Sequence, residues 1–271
     1  MRSPEQAELA AALHKMLGDS GDPWPALAGM GVTSLALEAT PLDLMVACEE
    51  LGHHAVPGPV AESLAVAPLL VGEFDGLASV AMPPVVPYAA DASGLVLLVV
   101  DGVVYEGSLG ARHSSVDPAR SLHTVLPGPE LGSADQRAFE LGALATAAYL
   151  LGAGRALLEM SVRHVGVREQ FGRPVGANQA VQHRLADVAI ALEFARPLLD
   201  AASSLEQRDV SAAKVACGDA SYTAARAALQ VHGAIGYTTE HEMSRFFLKV
   251  RALNGAWGST SWHRARIAES L

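Results

Sequence analysis

A chain of 271 residues with 50% hydrophobic content and a mean hydropathy of +0.24 is too apolar to stay disordered, and long enough for one large domain or two small ones. Its 19 Lys and Arg against 29 Asp and Glu leave a formal charge of −10, so a phosphate backbone finds no basic face and nucleic acid is not an expected partner. Aromatics are only 5%, which makes the core one of Ala, Leu and Val. Cys48 and Cys217 lie in separate Ala-rich stretches without C-x-x-C spacing, and are expected as buried free thiols in a reducing compartment. The start, MRSPEQAELA, lacks the basic residues and apolar run of a signal peptide, and no uncharged apolar run approaches the ~20 residues that span a bilayer. A cytoplasmic protein with no membrane partner is the expectation.

Residues 1–72 read as helical. Leu9, Leu13 and Leu17 recur every fourth position, and Leu44, Cys48 and Leu51 mark a second helix. Pro41 fits the first turn of that helix, and Gly52 followed by Pro57 ends it. Residues 73–130 change texture. The run Leu95 to Val100 is short and β-branched, and is followed by Asp101-Gly102 and then Val103-Val-Tyr105. Asp-Gly between apolar runs predicts a tight hairpin, because a type I′ turn needs positive φ at both central residues. A reduced β domain of four to six short strands is expected, with no Gly-rich loop leading a strand into a helix.

Residues 131–271 are helical again. Ser133 and Gln136 have the spacing of a capping box. Leu144, Ala148, Leu151, Leu158 and Val162 then predict a helix of about 30 residues. After a break at Gly172 to Gly176, Asn178 caps a helix striped by Val181, Leu185, Val188 and Leu192. Two more helices are expected over about 211–232 and 240–253. The expected architecture is mainly α with a small β domain: an N-terminal helical region, a shrunken central β layer and a C-terminal four-helix bundle.

Two segments carry more than secondary structure. One is Arg168-Glu-Gln-Phe-Gly-Arg-Pro-Val-Gly-Ala-Asn-Gln179; the other is Gln230-Val-His-Gly-Ala-Ile-Gly-Tyr237. An arginine fork suits phosphate oxygens, and Gly233 and Gly236 let backbone approach a flat ligand. Without any ligand, Arg168 simply closes a helix and Gly233 caps one. Together the segments resemble the C-terminal domain of the acyl-CoA dehydrogenases, strongly over about 135–271 and more loosely over 24–61. The resemblance implies FAD as cofactor. It also implies that Arg168, Phe171, Gln179, Gln230, Val231, His232, Gly233 and Ala234 reach across a subunit interface to a neighbour's flavin. Ala234 stands where that turn usually has a second glycine.

The chain departs from the family where chemistry is done. α,β-Dehydrogenation of an acyl-CoA thioester needs a carboxylate to take the α-proton while the flavin takes the β-hydride. In most members that glutamate lies near the chain end; the matching stretch here is Ala256-Trp-Gly-Ser-Thr-Ser-Trp262, with Gly258 in its place. The minority position, on the long helix, is Gly142. Glu140 is near in sequence but about 200° away around the helix. Ala143 replaces an arginine that usually helps hold CoA. Leu77 to Pro83 looks like the start of one flavin-holding segment of the β domain, and the remainder is missing. The resemblance therefore implies the truncated subunit of a heteromeric α2β2 enzyme, of the kind that shortens steroid side chains in actinobacteria. A homologous partner chain would supply the base, this chain would be inactive alone, and electrons would pass to an electron-transfer flavoprotein. The alternative is a flavin-free scaffold.

No metal site is expected. Glu50 and His53 have the E-x-x-H spacing of di-iron bundles, but no second copy exists, and at a helix end both read as solvated surface. No G-x-S-x-G occurs for serine chemistry. The tail, Trp257 to Arg266, is a candidate for packing on a partner subunit, and two tryptophans this close to a terminus serve burial more often than catalysis.

Overall fold

A computed structural model describes residues 2–18, 21–74, 76–90, 94–238 and 241–270. The chain begins with α1 (Pro4–Leu17), α2 (Trp24–Gly29), α3 (Leu35–Glu38) and α4 (Pro41–His53). A π-helical turn over Glu62–Val66 then runs into α5 (Ala67–Val71). α1 and α4 start alike, with a proline in the first turn and a reciprocal capping box, Ser3 with Gln6 and Thr40 with Asp43. α4 buries every residue from Leu44 to Gly52. It lies between α1 and the long helix of the bundle, and Gly52 and Gly152 let the two backbones touch where a Cβ would collide.

The middle of the chain forms a five-stranded sheet, ordered β1 (Ala78–Ala81), β3 (Leu95–Val100), β4 (Val103–His113), β5 (Leu122–Ser133) and β2 (Ala89–Ala90). β1 and β3 are parallel and the other neighbours antiparallel. The expected hairpin is present: Val100 pairs with Val103, and Asp101 and Gly102 have φ of 51° and 77°. β5 runs through Ser133, so the expected capping box at Ser133 does not form. The next helix instead follows a turn in which the Asp135 carboxylate accepts from the Arg137 amide at 2.8 Å.

The bundle comprises α6 (Ala138–Val167), α7 (Gln179–Ala201), α8 (Gln207–His232) and α9 (Met243–Asn254). Between α6 and α7 lies a miniature hairpin, β6 (Glu169–Gln170) with β7 (Arg173–Pro174). Asn178 caps α7 as expected, its side chain accepting from the Ala180 amide at 3.0 Å. Residues Thr260–Glu269 form a further helix, α10, and of the two readings of the tail Trp257 follows burial, at 1% exposed. Val162, placed on the apolar stripe of α6, is 52% exposed because the stripe drifts off the core in the last turns.

By length and composition α6 alone among the described helices is apolar enough to cross a membrane, but 89% of its most apolar stretch is buried in the fold. Small residues dominate that stretch, Ala143, Ala145, Ala147, Ala148, Gly152 and Ala153, so neighbouring helices pack on it closely. Cys48 and Cys217 are free and buried, and burial pushes both thiols up to about 12. Neither thiol should therefore react with iodoacetamide at pH 7 in the folded chain, and both should react in denaturant. Prompt labelling of the native protein would show that this core opens.

Candidate functional site

α6 ends because Arg168 leaves helical geometry (φ −74°, ψ 118°), and the β6–β7 hairpin turns through Phe171 and Gly172, both at positive φ. The Val175 amide donates to the Arg168 carbonyl at 2.8 Å, closing the turn before α7 begins. α6 and α8 finish at the same end of the bundle, where His164 stacks on His232 with ring centroids 4.1 Å apart. That stack brings the Arg168 turn beside the turn after α8. Burial, followed for His164 by the neighbouring His232 and Arg168 charges, holds both rings below the ordinary histidine range. They stay neutral at pH 7, and His232 Nδ1 donates to the Ala228 carbonyl at 2.8 Å.

The residues expected at this edge lie on the α6–α7 turn, the first residue of α7 and the end of α8 with the turn after it, and one of them is buried. Arg168, Phe171, Gln179, Gln230 and Ala234 are exposed, and Val231 and Gly233 half-buried; His232 turns inward and is buried. Among the described residues the Arg168 guanidinium has no salt-bridge partner, and the Phe171 ring stands fully in solvent. Gly233 has φ +66° and only open space where a Cβ would project. A free cationic fork, exposed amides, a flat apolar ring and the amide-rich start of α7 suit an anionic ligand with planar parts. Those residues fit the pyrophosphate end of a dinucleotide such as FAD.

Neither glycine that the resemblance sets at a base position has room for a side chain. A Cβ on Gly142 would lie 2.7 Å from Val66 and 2.8 Å from the Trp257 ring. A Cβ on Gly258 would lie 2.6 Å from His263 Nε2 and 2.7 Å from Trp262, and its φ of +93° is one that side-chain-bearing residues rarely adopt. Three groups fix this segment. The Trp257 indole donates to Glu62 Oε1 at 3.3 Å. His263 Nε2 donates to the Trp257 carbonyl at 2.9 Å, so its other nitrogen accepts from Ser211, and burial keeps the ring neutral with a pKa of about 4. Lys214, fully buried and lowered by that burial to about 8, donates to the carbonyls of Leu253, Asn254 and Gly258 at 3.3–3.4 Å. Glu140 faces away as expected, paired with Arg266 at 2.5 Å.

Beside the Trp257 ring that covers Gly142 lies a cavity of about 20 Å³, lined by Glu62, Thr146, Tyr149, Lys249 and Trp257 among others. That holds about one water molecule, not a thioester. Lys249 is itself tied to Asp117 at 2.7 Å, both side chains buried. A larger open cleft of about 430 Å³ lies between sheet and bundle, walled by Met82, Pro83 and Val99 on one side and Phe139, Trp262 and Arg266 on the other. Met82 and Pro83 end the segment resembling a flavin-holding one, so what remains of it does border a cleft. The plugging role of Trp257 is invisible in the sequence; the hint is that large rings flank the glycine standing where a glutamate is expected.

A family model described as "Acyl-CoA dehydrogenase, C-terminal domain" matches residues 133–271. The protein named acyl-CoA dehydrogenase IpdE2 of Mycolicibacterium smegmatis is 30% identical over 222 residues, covering 76% of this chain and 71% of the relative. Among solved structures, the ChsE4-ChsE5 complex from Mycobacterium tuberculosis superposes with a TM-score of 0.81 at 19% identity, covering 100% of this chain and 98% of the other. A structure titled Tcur3481-Tcur3483 steroid ACAD G363A variant gives a TM-score of 0.76 at 21% identity, covering 98% and 97%.

Proposed function

The chain belongs to the acyl-CoA dehydrogenase family, and on that premise we propose that it is the base-less subunit of a heteromeric, FAD-dependent acyl-CoA dehydrogenase. Its part is to grip the flavin of a homologous partner chain, which carries the catalytic carboxylate and most of the acyl-CoA pocket. The observation that carries this reading is the pairing of two closed base positions with an intact, exposed Arg168 edge. When bound, FAD supplies hydride acceptance from the β-carbon of the thioester. The residues of this chain do not move a proton: Arg168 and Gln179 hold an anionic, hydrogen-bonding stretch of the cofactor, and the 230–234 turn lies close beside it.

A partner chain is supported by a second feature. Ile190, Phe194 and Leu198 stand at successive turns of α7, 53%, 72% and 42% exposed, an apolar stripe the described residues leave uncovered. Likeness to a structure titled as a complex, and to one titled as a steroid ACAD with two component names, supports an α2β2 assembly acting on steroid side-chain CoA esters. An electron-transfer flavoprotein would reoxidise the flavin.

The test is Arg168→Ala in the co-expressed complex. Loss of a charged phosphate contact of about 2 kcal/mol weakens flavin affinity ~30-fold, so the complex should purify pale while this chain keeps its melting temperature. Flavin retention equal to wild type removes Arg168 from the cofactor. A partner-bound complex holding no FAD at all would favour the scaffold alternative.

A further inference from the structure

Glu50 and His53 are not the solvated surface residues their place at a helix end suggested. The Glu50 side chain is 4% exposed and that of His53 10%. His54 follows in the chain, and α1 lays His14 across all of them. The three imidazole rings lie with centroids 4.7–5.2 Å apart. One donor atom from each of His14, Glu50, His53 and His54 falls within 4.8 Å of the others.

We propose that His14, Glu50, His53 and His54 form a binding site for a divalent transition-metal ion of the zinc class, clasping α1 to the end of α4. Two of the spacings are those of a coordination shell. His14 Nδ1 lies 3.2 Å from Glu50 Oε2 and 3.2 Å from His54 Nε2. Donors about 2.0 Å from a tetrahedral zinc ion are about 3.3 Å from one another. A neutral imidazole nitrogen offers one proton or one lone pair, and Nδ1 of His14 faces two neighbours at once; a cation between three lone pairs satisfies all of them.

His53 supplies the independent observation. Its Nε2 is 3.0 Å from Glu159 Oε2 on α6, and its buried Nδ1 has no hydrogen-bond partner among the described residues. A carboxylate that accepts a hydrogen bond from one ring N–H fixes the tautomer and leaves the other nitrogen as a bare, more basic lone pair, the arrangement that orients metal-bound histidines. Glu159 is thus a positioning residue rather than a ligand. Glu50 divides its oxygens in the same sense: Oε1 faces Arg2 and Arg155 at 3.6 and 3.5 Å, while Oε2 faces the histidines. Those arginines are matched chiefly by Glu49 alongside. Three nitrogens and one carboxylate oxygen make a closed set, which is structural rather than catalytic in character and draws on α1, α4 and α6.

The probe is Co²⁺ added to the tag-free full chain, followed in the visible spectrum, with Zn²⁺ as competitor. Expected are one Co²⁺ per chain bound at micromolar concentration or tighter, intense tetrahedral absorption bands, and their loss when Zn²⁺ is added. His14→Gln, on an exposed side chain, should abolish the bands while circular dichroism is unchanged, and Glu159→Gln should weaken affinity by roughly 10- to 100-fold without changing the spectrum. Weak, pale octahedral binding or no binding overturns the site. So do bands that survive His14→Gln combined with His54→Gln, which would place the ion at another histidine group, where His232 lies between His164 and His241 with ring centroids 4.1 and 5.1 Å away.

Discussion

Glu49→Gln should be among the most destabilising single changes in this chain, lowering unfolding free energy by about 3 kcal/mol at pH 7. The Glu49 side chain is 1% exposed and receives the guanidinium groups of Arg2, Arg155 and Arg196, which come from before α1, from α6 and from α7. Burial pushes the carboxyl up, but the hydrogen bonds and charge of Arg196, with the charges of Arg2 and Arg155, outweigh it and hold the pKa at about 2 against an ordinary 4.5. A group depressed on folding stabilises fully above its unfolded pKa, and that contribution disappears as pH falls through the folded value. The gap between wild type and Glu49→Gln in urea unfolding should therefore be constant above about pH 5 and close between about 4.5 and 2. The arginines are each about a third exposed and regain water in the variant, which keeps the loss from growing larger. A gap below 1 kcal/mol at pH 7, or one independent of acid, would mean that the cluster does not bind the three helices together.

Trp257→Ala should cost about 4 kcal/mol, the range for truncating a buried tryptophan. Its ring is held at the Gly142 face of α6, near Phe139 and bonded to Glu62, and its backbone sits at φ +54°. Truncation would merge the ring's volume with the 20 Å³ cavity beside it. Added indole should then raise the melting temperature of the variant and leave that of wild type unchanged. Full stability without rescue would show that Trp257 is not a plug, and would undercut the closure of the Gly142 position.

Much of this fold was legible because its signals are local. The Asp101-Gly102 turn, Pro41 at a helix start, Asn178 as a cap and the Leu185, Val188 and Leu192 stripe each follow from the chemistry of a few neighbouring residues. The candidate flavin edge was legible because its residues cluster in two short segments that a single helix-end packing joins. What misled was long-range. The Ser133 capping box is locally sound, yet the sheet claims Ser133 as the last residue of β5. Glu50 and His53 read as surface because Gly52 and Pro57 mark a helix end, while α1 and Glu159, far off in sequence, cover that end. The tail was a candidate partner surface; Lys214 and Glu62, on two other segments, pull Trp257 and its neighbours inward, and His263, within the tail itself, holds the Trp257 carbonyl.

The division of labour between this chain and a partner is tested most directly by turnover and flavin content measured on the chain alone and on the co-purified complex. The chain alone, supplied with FAD and an acyl-CoA, should be colourless after gel filtration and should reduce no electron acceptor. The complex should be yellow and active, and replacing the partner's base should abolish activity that no carboxylate of this chain restores. A chain that oxidises thioesters unaided, with flavin in every protomer, refutes the closed base positions and the proposal built on them.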